Sequence, residues 1–304
     1  MSIQENNLIS KQNIYRQVTE NRPLLLRHMP SSLKETLILA LNQRYEELYE
    51  EDATGDVLLE NTLEKILNSF QENHQLLGQL RYVWMALTLA TVVEPTVKYY
   101  QPDSQIPEKT IGHLQGWLLK TLMKMVNLGK SSHSTFENID NSITSANFQH
   151  LLSVQKISSF QILSEALDVY VHAIQVLEPH HSLQSLLNIL DDCLEGYAIF
   201  PGSYGRRELF NWWLLDIVPS CWYLLPPTSV DLPNNLKDSD KGLALSRLEE
   251  ISSVIWSLII RASIQAPEKN SSDPQSRFQD NMLPTFSGDV RVRIKNKYSP
   301  TTFK

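Results

Sequence analysis

The chain has 304 residues, 42% of them hydrophobic, 9% aromatic and 20% charged, which is enough apolar side chain to bury a large core and too much for a disordered protein. With 27 Lys and Arg against 34 Asp and Glu the net charge is -7, and this argues against a general nucleic-acid binder, whose body must neutralise phosphates with clustered cations. Two cysteines, Cys193 and Cys221, make no disulfide framework and read as packed, reduced thiols.

Residues 1–30 are polar, carry Pro23 and Pro30, and read as a flexible N-terminal arm. They lack a basic start followed by an apolar run, so no signal peptide is expected and the expected location is the cytoplasm. Apolar stretches such as 83–93 fall short of the ~20 residues that span a bilayer, so no membrane association is expected.

Helical periodicity begins at Ser31, where Ser32 and Glu35 have the spacing of a capping box. Leu33, Leu37, Leu39, Ala40 and Leu41 form its apolar side, and the helix is expected to run into Glu46, Glu47, Glu50, Glu51 and Asp52, an acidic run read as a solvated end. After Gly55, Leu59, Leu63, Ile66, Leu67 and Phe70 predict an amphipathic helix. The next segment, 74–100, is apolar nearly all round, which predicts a central buried helix, with a kink or break near Glu94 imposed by Pro95. Pro107 opens the following helix, whose Ile111, Leu114, Trp117, Leu118, Leu122 and Met125 recur at helical spacing until Gly129.

The frame Trp84, Ala86, Ala90, Val93, Pro95, Pro102, Pro107, Ile111 and Trp117 resembles a segment of alanine-rich, all-helical immunity proteins from bacterial polymorphic toxin systems. The resemblance covers residues 84–117 and departs from that pattern at Ile106, where an arginine would stand before the proline. It implies a helical, partner-binding protein without catalysis, and it carries over no functional residue.

Residues 130–146 are rich in Ser, Asn and Thr and read as a long loop. Helix resumes from Ser158, with Phe160, Leu163, Leu167, Tyr170, Ile174 and Leu177 on one face, and a second helix over 182–197 makes the pair an antiparallel hairpin. The last strong helix places Leu245, Leu248, Ile251, Ile255, Leu258 and Ile259 on its apolar side. Residues 266–304 read as a flexible basic tail: from Asp289 onward five basic residues stand against one acidic, a local charge of +4 that leaves -11 for the rest.

The rarest residues concentrate in 186–227, which holds both cysteines, three of six tryptophans and three of ten glycines. Its turn, with Gly202, Ser203 and Gly205 before Arg206 and Arg207, could expose backbone N–H groups and two guanidiniums to an anion. It lacks the Walker lysine and the preceding strand of a P-loop. Cations at a helix start oppose the dipole, so an internal lock of the arginines onto Asp191, Asp192 or Glu195 is the favoured reading over a ligand site. Phe210, Trp213, Leu214, Ile217 and Cys221 lie at helical spacing and read as core, whereas Trp212 falls on another flank and can cover a groove.

Histidines such as His180 and His181 show no metal-ligand spacing, so no metal and no cofactor are expected, and neither cysteine has a nucleophile's signature. The sequence thus predicts an all-α fold, an irregular helical bundle or α-solenoid-like array of about eight or nine helices over residues 31–265. The expected function is that of a non-enzymatic, cytosolic, bacterial-type interaction protein presenting a helical surface to a protein partner. The alternative is a small-anion sensor or enzyme with a pocket at 200–207, involving Asp191, Arg206, Arg207 and Trp212; nucleic acid would be reached only through the basic tail.

Overall fold

The computed structural model describes residues 29–71, 75–127, 161–196, 198–199, 205–228 and 238–265, and among these it contains eight helices and no strand. The fold is all-α. Residues 1–28 of the proposed arm, the loop at 130–146, the helix end at Gly129 and the basic tail lie outside the described residues, whereas Met29, at the end of that arm, is buried in the core and Pro30 is the N-cap of α1.

In chain order the helices are α1 (Ser31–Asn42), α2 (Leu59–Ser69), α3 (Gln75–Tyr100), α4 (Ile106–Asn127) and α5 (Gln161–Gln175). Helix α6 (Ser182–Leu190) continues into a π-turn at Asp191–Glu195. Helix α7 comprises Arg206–Trp212, a π segment at Trp213–Ile217 and a last turn at Val218–Trp222, and α8 is Asp238–Gln265.

Helix α3 is the axle. Every residue from Leu77 to Val93 is buried, a pattern that no single flat neighbour can satisfy, so α3 is surrounded: α4, α5, α6, α7 and α8 all pack on it. Each fully buried Leu, Val or Met contributes about 1.5–3 kcal/mol of hydrophobic stabilisation, which makes this one helix the largest source of apolar burial. By length and composition α3 could cross a bilayer, but 94% of its most apolar window is buried inside the protein.

Two local expectations are corrected. The capping box does not form: α1 starts two residues earlier than a Ser32 N-cap requires, Pro30 is its N-cap with no side-chain bond, and the Lys34 N–H goes to the Pro30 carbonyl. Nor does α1 reach the acidic run. It stops at Asn42, and the chain turns through a 3-10 helix at Glu46–Leu48, so the carboxylates belong to a loop rather than to an unfavourable helix end.

Pro95 does not break α3, which runs on to Tyr100. A helix-interior proline costs about 3 kcal/mol, and the buried Val92, Val93, Thr96 and Val97 around it offset that loss through packing. In α7 the solution differs. The π segment immediately precedes Pro219, with the Val218 N–H reaching back to Trp213, and this wider turn gives the proline ring room beside the preceding carbonyls.

Helices α5 and α6 pack as the expected hairpin, with Leu163, Leu167, Tyr170 and Ile174 buried. Helix α6 ends at Glu195 and Gly196 closes it, its N–H bonded to the Asp191 carbonyl at 2.8 Å. Here glycine is required by space: a Cβ would lie 2.7 Å from both the Asp192 carbonyl oxygen and Glu165 Oε2.

Candidate functional site

Arg207 opens α7 and reaches away from α6 to the end of α1. Its Nη1 donates to the Gln43 carbonyl at 2.8 Å and to Glu50 Oε2 at 3.3 Å, and its Nη2 donates to the Leu41 carbonyl. The physical reason lies at the helix terminus: the last carbonyls of α1 have no intrahelical donor, and a planar guanidinium can serve two of them at once. Glu50 completes the knot by accepting from the Tyr45 N–H at 2.8 Å and from Arg44 at 2.7 Å. Burial raises the Glu50 carboxyl, but the Tyr45 N–H, Arg44 and Arg207 outweigh it and hold the group below its ordinary range.

Arg206 lies beside the same turn. Its Nη1 approaches the Glu47 carbonyl at 3.4 Å, and its guanidinium stacks on the exposed Tyr49 ring at 4.3 Å from the centroid. It also faces Glu195 electrostatically. Glu195 thus feels the charge of Arg206, whereas Arg207 makes an ion pair with Glu50. Asp192 accepts the Ala198 N–H with its backbone carbonyl at 3.0 Å. Gly202 and Ser203 lie outside the described residues, and Gly205 is the exposed N-cap of α7.

Glu195 is the electrostatic exception. Burial, then the charges of Asp191 and Glu47, then a side-chain hydrogen bond with Asp191 push its carboxyl up to about 7 against the partial relief from Arg206. At neutral pH this group is poised between its two charge states.

The aromatic run is core, with Phe210, Trp213, Leu214, Ile217 and Cys221 fully buried. Trp212 is half-buried against that core. Phe210 stacks on Trp213 at 6.1 Å and meets the Tyr45 ring edge-on at 5.4 Å, tying α7 to the turn that Arg207 holds. Both cysteines are buried free thiols. Burial, and the charges of Asp192 and Asp216 respectively, push Cys193 and Cys221 well above the ordinary thiol range, away from thiolate chemistry.

No family model, curated protein or solved structure matches this chain. Function must therefore be argued from its own residues.

Beyond Trp222 the chain leaves the helix through a Schellman turn. The Leu225 N–H bonds to the Ser220 carbonyl at 2.8 Å and the Leu224 N–H to Cys221 at 3.2 Å, with Leu224 at φ 54. A leucine in that left-handed region costs of order 1–3 kcal/mol, so the surroundings must enforce it. They do so carbonyl by carbonyl. Trp222 accepts from Arg81 Nε at 2.9 Å, Tyr223 from Trp256 Nε1 at 3.1 Å, Leu224 from Ser252 Oγ at 2.8 Å and Leu225 from Trp84 Nε1 at 2.8 Å. Asp216 then anchors the exit, accepting from the Thr228 N–H at 2.8 Å and from its hydroxyl at 2.6 Å.

Arg81, Trp84, Ser252, Trp256 and Asp216 thus position the central stretch, and none of them stands out by motif. One signal was available for Arg81, a lone arginine inside a helix that is otherwise apolar on every face. A cation there has to find backbone carbonyls or a carboxylate in the interior.

Proposed function

We propose that this protein is a non-enzymatic interaction module, immunity-like or regulatory, cytosolic and bacterial in type, that presents a helical surface to a protein partner. The observation that carries the reading is where large apolar side chains are left in water. Ile38 and Leu39, adjacent on α1, are 59% and 65% exposed, and Leu215, on the π segment of α7 against which α1 packs, is 54% exposed. Tyr49, stacked on Arg206, is 75% exposed. Apolar and aromatic side chains with an adjoining arginine have the composition of a binding hot spot.

The anion-sensor alternative draws support from Arg206 and Arg207 standing side by side at the start of α7. Against it, the guanidinium of Arg207 is already committed to Leu41, Gln43 and Glu50. The deciding experiment is affinity capture from native cells with the wild-type chain and with Leu39→Glu as paired baits. A partner retained by wild type and lost by the folded variant supports the reading; identical captures with both baits overturn it.

A further inference from the structure

Exposed apolar side chains are concentrated in α1 and the loop that follows it. Of the eleven large ones left in water among the described residues, five lie within 38–58: Ile38, Leu39, Tyr49, Val57 and Leu58. The two limbs of chain that carry the last three are folded onto one another. Glu47 Oε1 accepts from the Leu59 N–H at 3.0 Å, the Tyr45 hydroxyl donates to Thr62 Oγ1 at 3.1 Å, and the Glu46 carboxylate lies over Gly55, 2.9 Å from where a Cβ would stand. Tyr49 is presented at φ 58, a left-handed backbone that a tyrosine keeps only when its surroundings enforce it, here with the Arg206 guanidinium stacked on its ring.

Charge decides what can cover these side chains. Residues 46–60 hold seven carboxylates and no Lys or Arg, so -7 of the -11 carried outside 289–304 belongs to this one stretch. Glu47 and Glu50 are used internally, whereas Glu46, Glu51, Asp52, Asp56 and Glu60 are exposed. The neighbouring cations Arg44 and Arg207 are already paired with Glu50. A complementary segment exists in the same chain: Val290, Val292 and Ile294 alternate with Arg291, Arg293 and Lys295, so an extended backbone would offer one apolar and one basic edge. We propose that residues 290–295 dock on the face of Tyr49, Val57 and Leu58, with their cations toward Glu51, Asp52, Asp56 and Glu60. From Gln265 to Asp289 the chain has 24 residues, a reach of at most about 80 Å against a width of about 45 Å for a body of this size. Length therefore permits every face, and charge selects this one. The tether raises the effective concentration of this segment above that of any free cationic chain. The docking stands whether or not a protein partner also uses Tyr49.

The test is carbodiimide cross-linking of the dilute full-length chain, which joins lysine amines to carboxylates in contact with them, with the links mapped by mass spectrometry. Lys295 and Lys297 should link within one chain to Glu51, Asp52, Asp56 or Glu60. The yield should fall roughly fivefold or more when salt screens the pairing, and by as much when Val290, Val292 and Ile294 are all changed to Ser, which removes the apolar edge and keeps every charge. Leu58→Ser, on the exposed side of the same contact, should lower it from the other partner. These serine changes lie at residues outside the core, so the fold is retained for the comparison. Absence of such links overturns the docking, as do links spread over the whole acidic surface, links formed only between two chains, or a yield unchanged by the triple serine variant.

Discussion

The guanidinium carbon of Arg81 lies 3.5 Å from the centroid of the Trp222 ring, and its Nε donates to the carbonyl of that same residue. A second bond, Nη1 to the Phe70 carbonyl at 3.2 Å, joins the end of α2 to the end of α7 through a side chain of α3. Burial pushes the Arg81 group down to about 9, partly countered by Tyr223, so it is still a cation at neutral pH. A buried charge served by carbonyls and an aromatic face is a fastener that only arginine's flat, many-donor head can make. Arg81→Ala should cost about 3 kcal/mol or more, from two orphaned carbonyls and a cavity. Arg81→Lys should recover only part of that, and urea unfolding of the three proteins measures the difference.

Trp84→Phe keeps a ring in place and removes the donor to Leu225. The loss should be about 1–3 kcal/mol, the cost of leaving a buried carbonyl unpaired. Ser252→Ala, which removes the donor to the neighbouring Leu224 carbonyl, should cost about 1 kcal/mol. Because both hold one strained turn, their effects should not add, and a double-mutant cycle would show a coupling of about 0.5 kcal/mol or more.

Asp216→Ala should free the exit of the central stretch by removing the acceptor for both the N–H and the hydroxyl of Thr228. Its cost should be about 1–2 kcal/mol, with exchange of the Thr228 amide rising before any global unfolding. Equal protection in variant and wild type would show that the buried prolines hold the exit without it.

Glu195 gives a pH dependence of definite sign. Its carboxyl is raised in the folded state from 4.5 to about 7, so the unfolded chain releases its proton first, and stability falls as pH rises through that window. The group is about half exposed, so the effect is discounted to about 1 kcal/mol. Glu195→Gln should therefore be more stable than wild type at pH 8 and equal to it near pH 4.5, read from thermal melts at both values.

Arg207→Ala should cost about 2 kcal/mol, since it uncaps two carbonyls of α1 and leaves Glu50 without one of its cations. Glu50 is held below 4.5 in the folded state, so its stabilisation is present above that pH and is lost as the solution is acidified further. The variant should accordingly show a shallower acid limb than wild type in a denaturation series.

Periodicity alone revealed the helices, because apolar repeats at 3.6 residues and nearly continuous apolarity over 77–93 leave few other ways to bury those side chains. It placed Phe210, Trp213, Leu214, Ile217 and Cys221 in the core for the same reason. One local signal misled. The Ser32 and Glu35 spacing is a capping box only if Ser32 is the N-cap, and the N-cap is Pro30. Pro95 is tolerated because the packing around it outweighs one lost backbone bond.

The partners of the two arginines could not be read from order along the chain. The sequence placed Arg206 and Arg207 closest to the carboxylates of α6, yet Arg207 spans to Leu41, Gln43 and Glu50, more than 150 positions away along the chain. Arg81 and Trp84 likewise meet Trp222 and Leu225 across 141 positions. Such contacts exist because α3 is buried and its polar atoms must find acceptors wherever the packing places them, and which carbonyls those are is decided only when the helices come together.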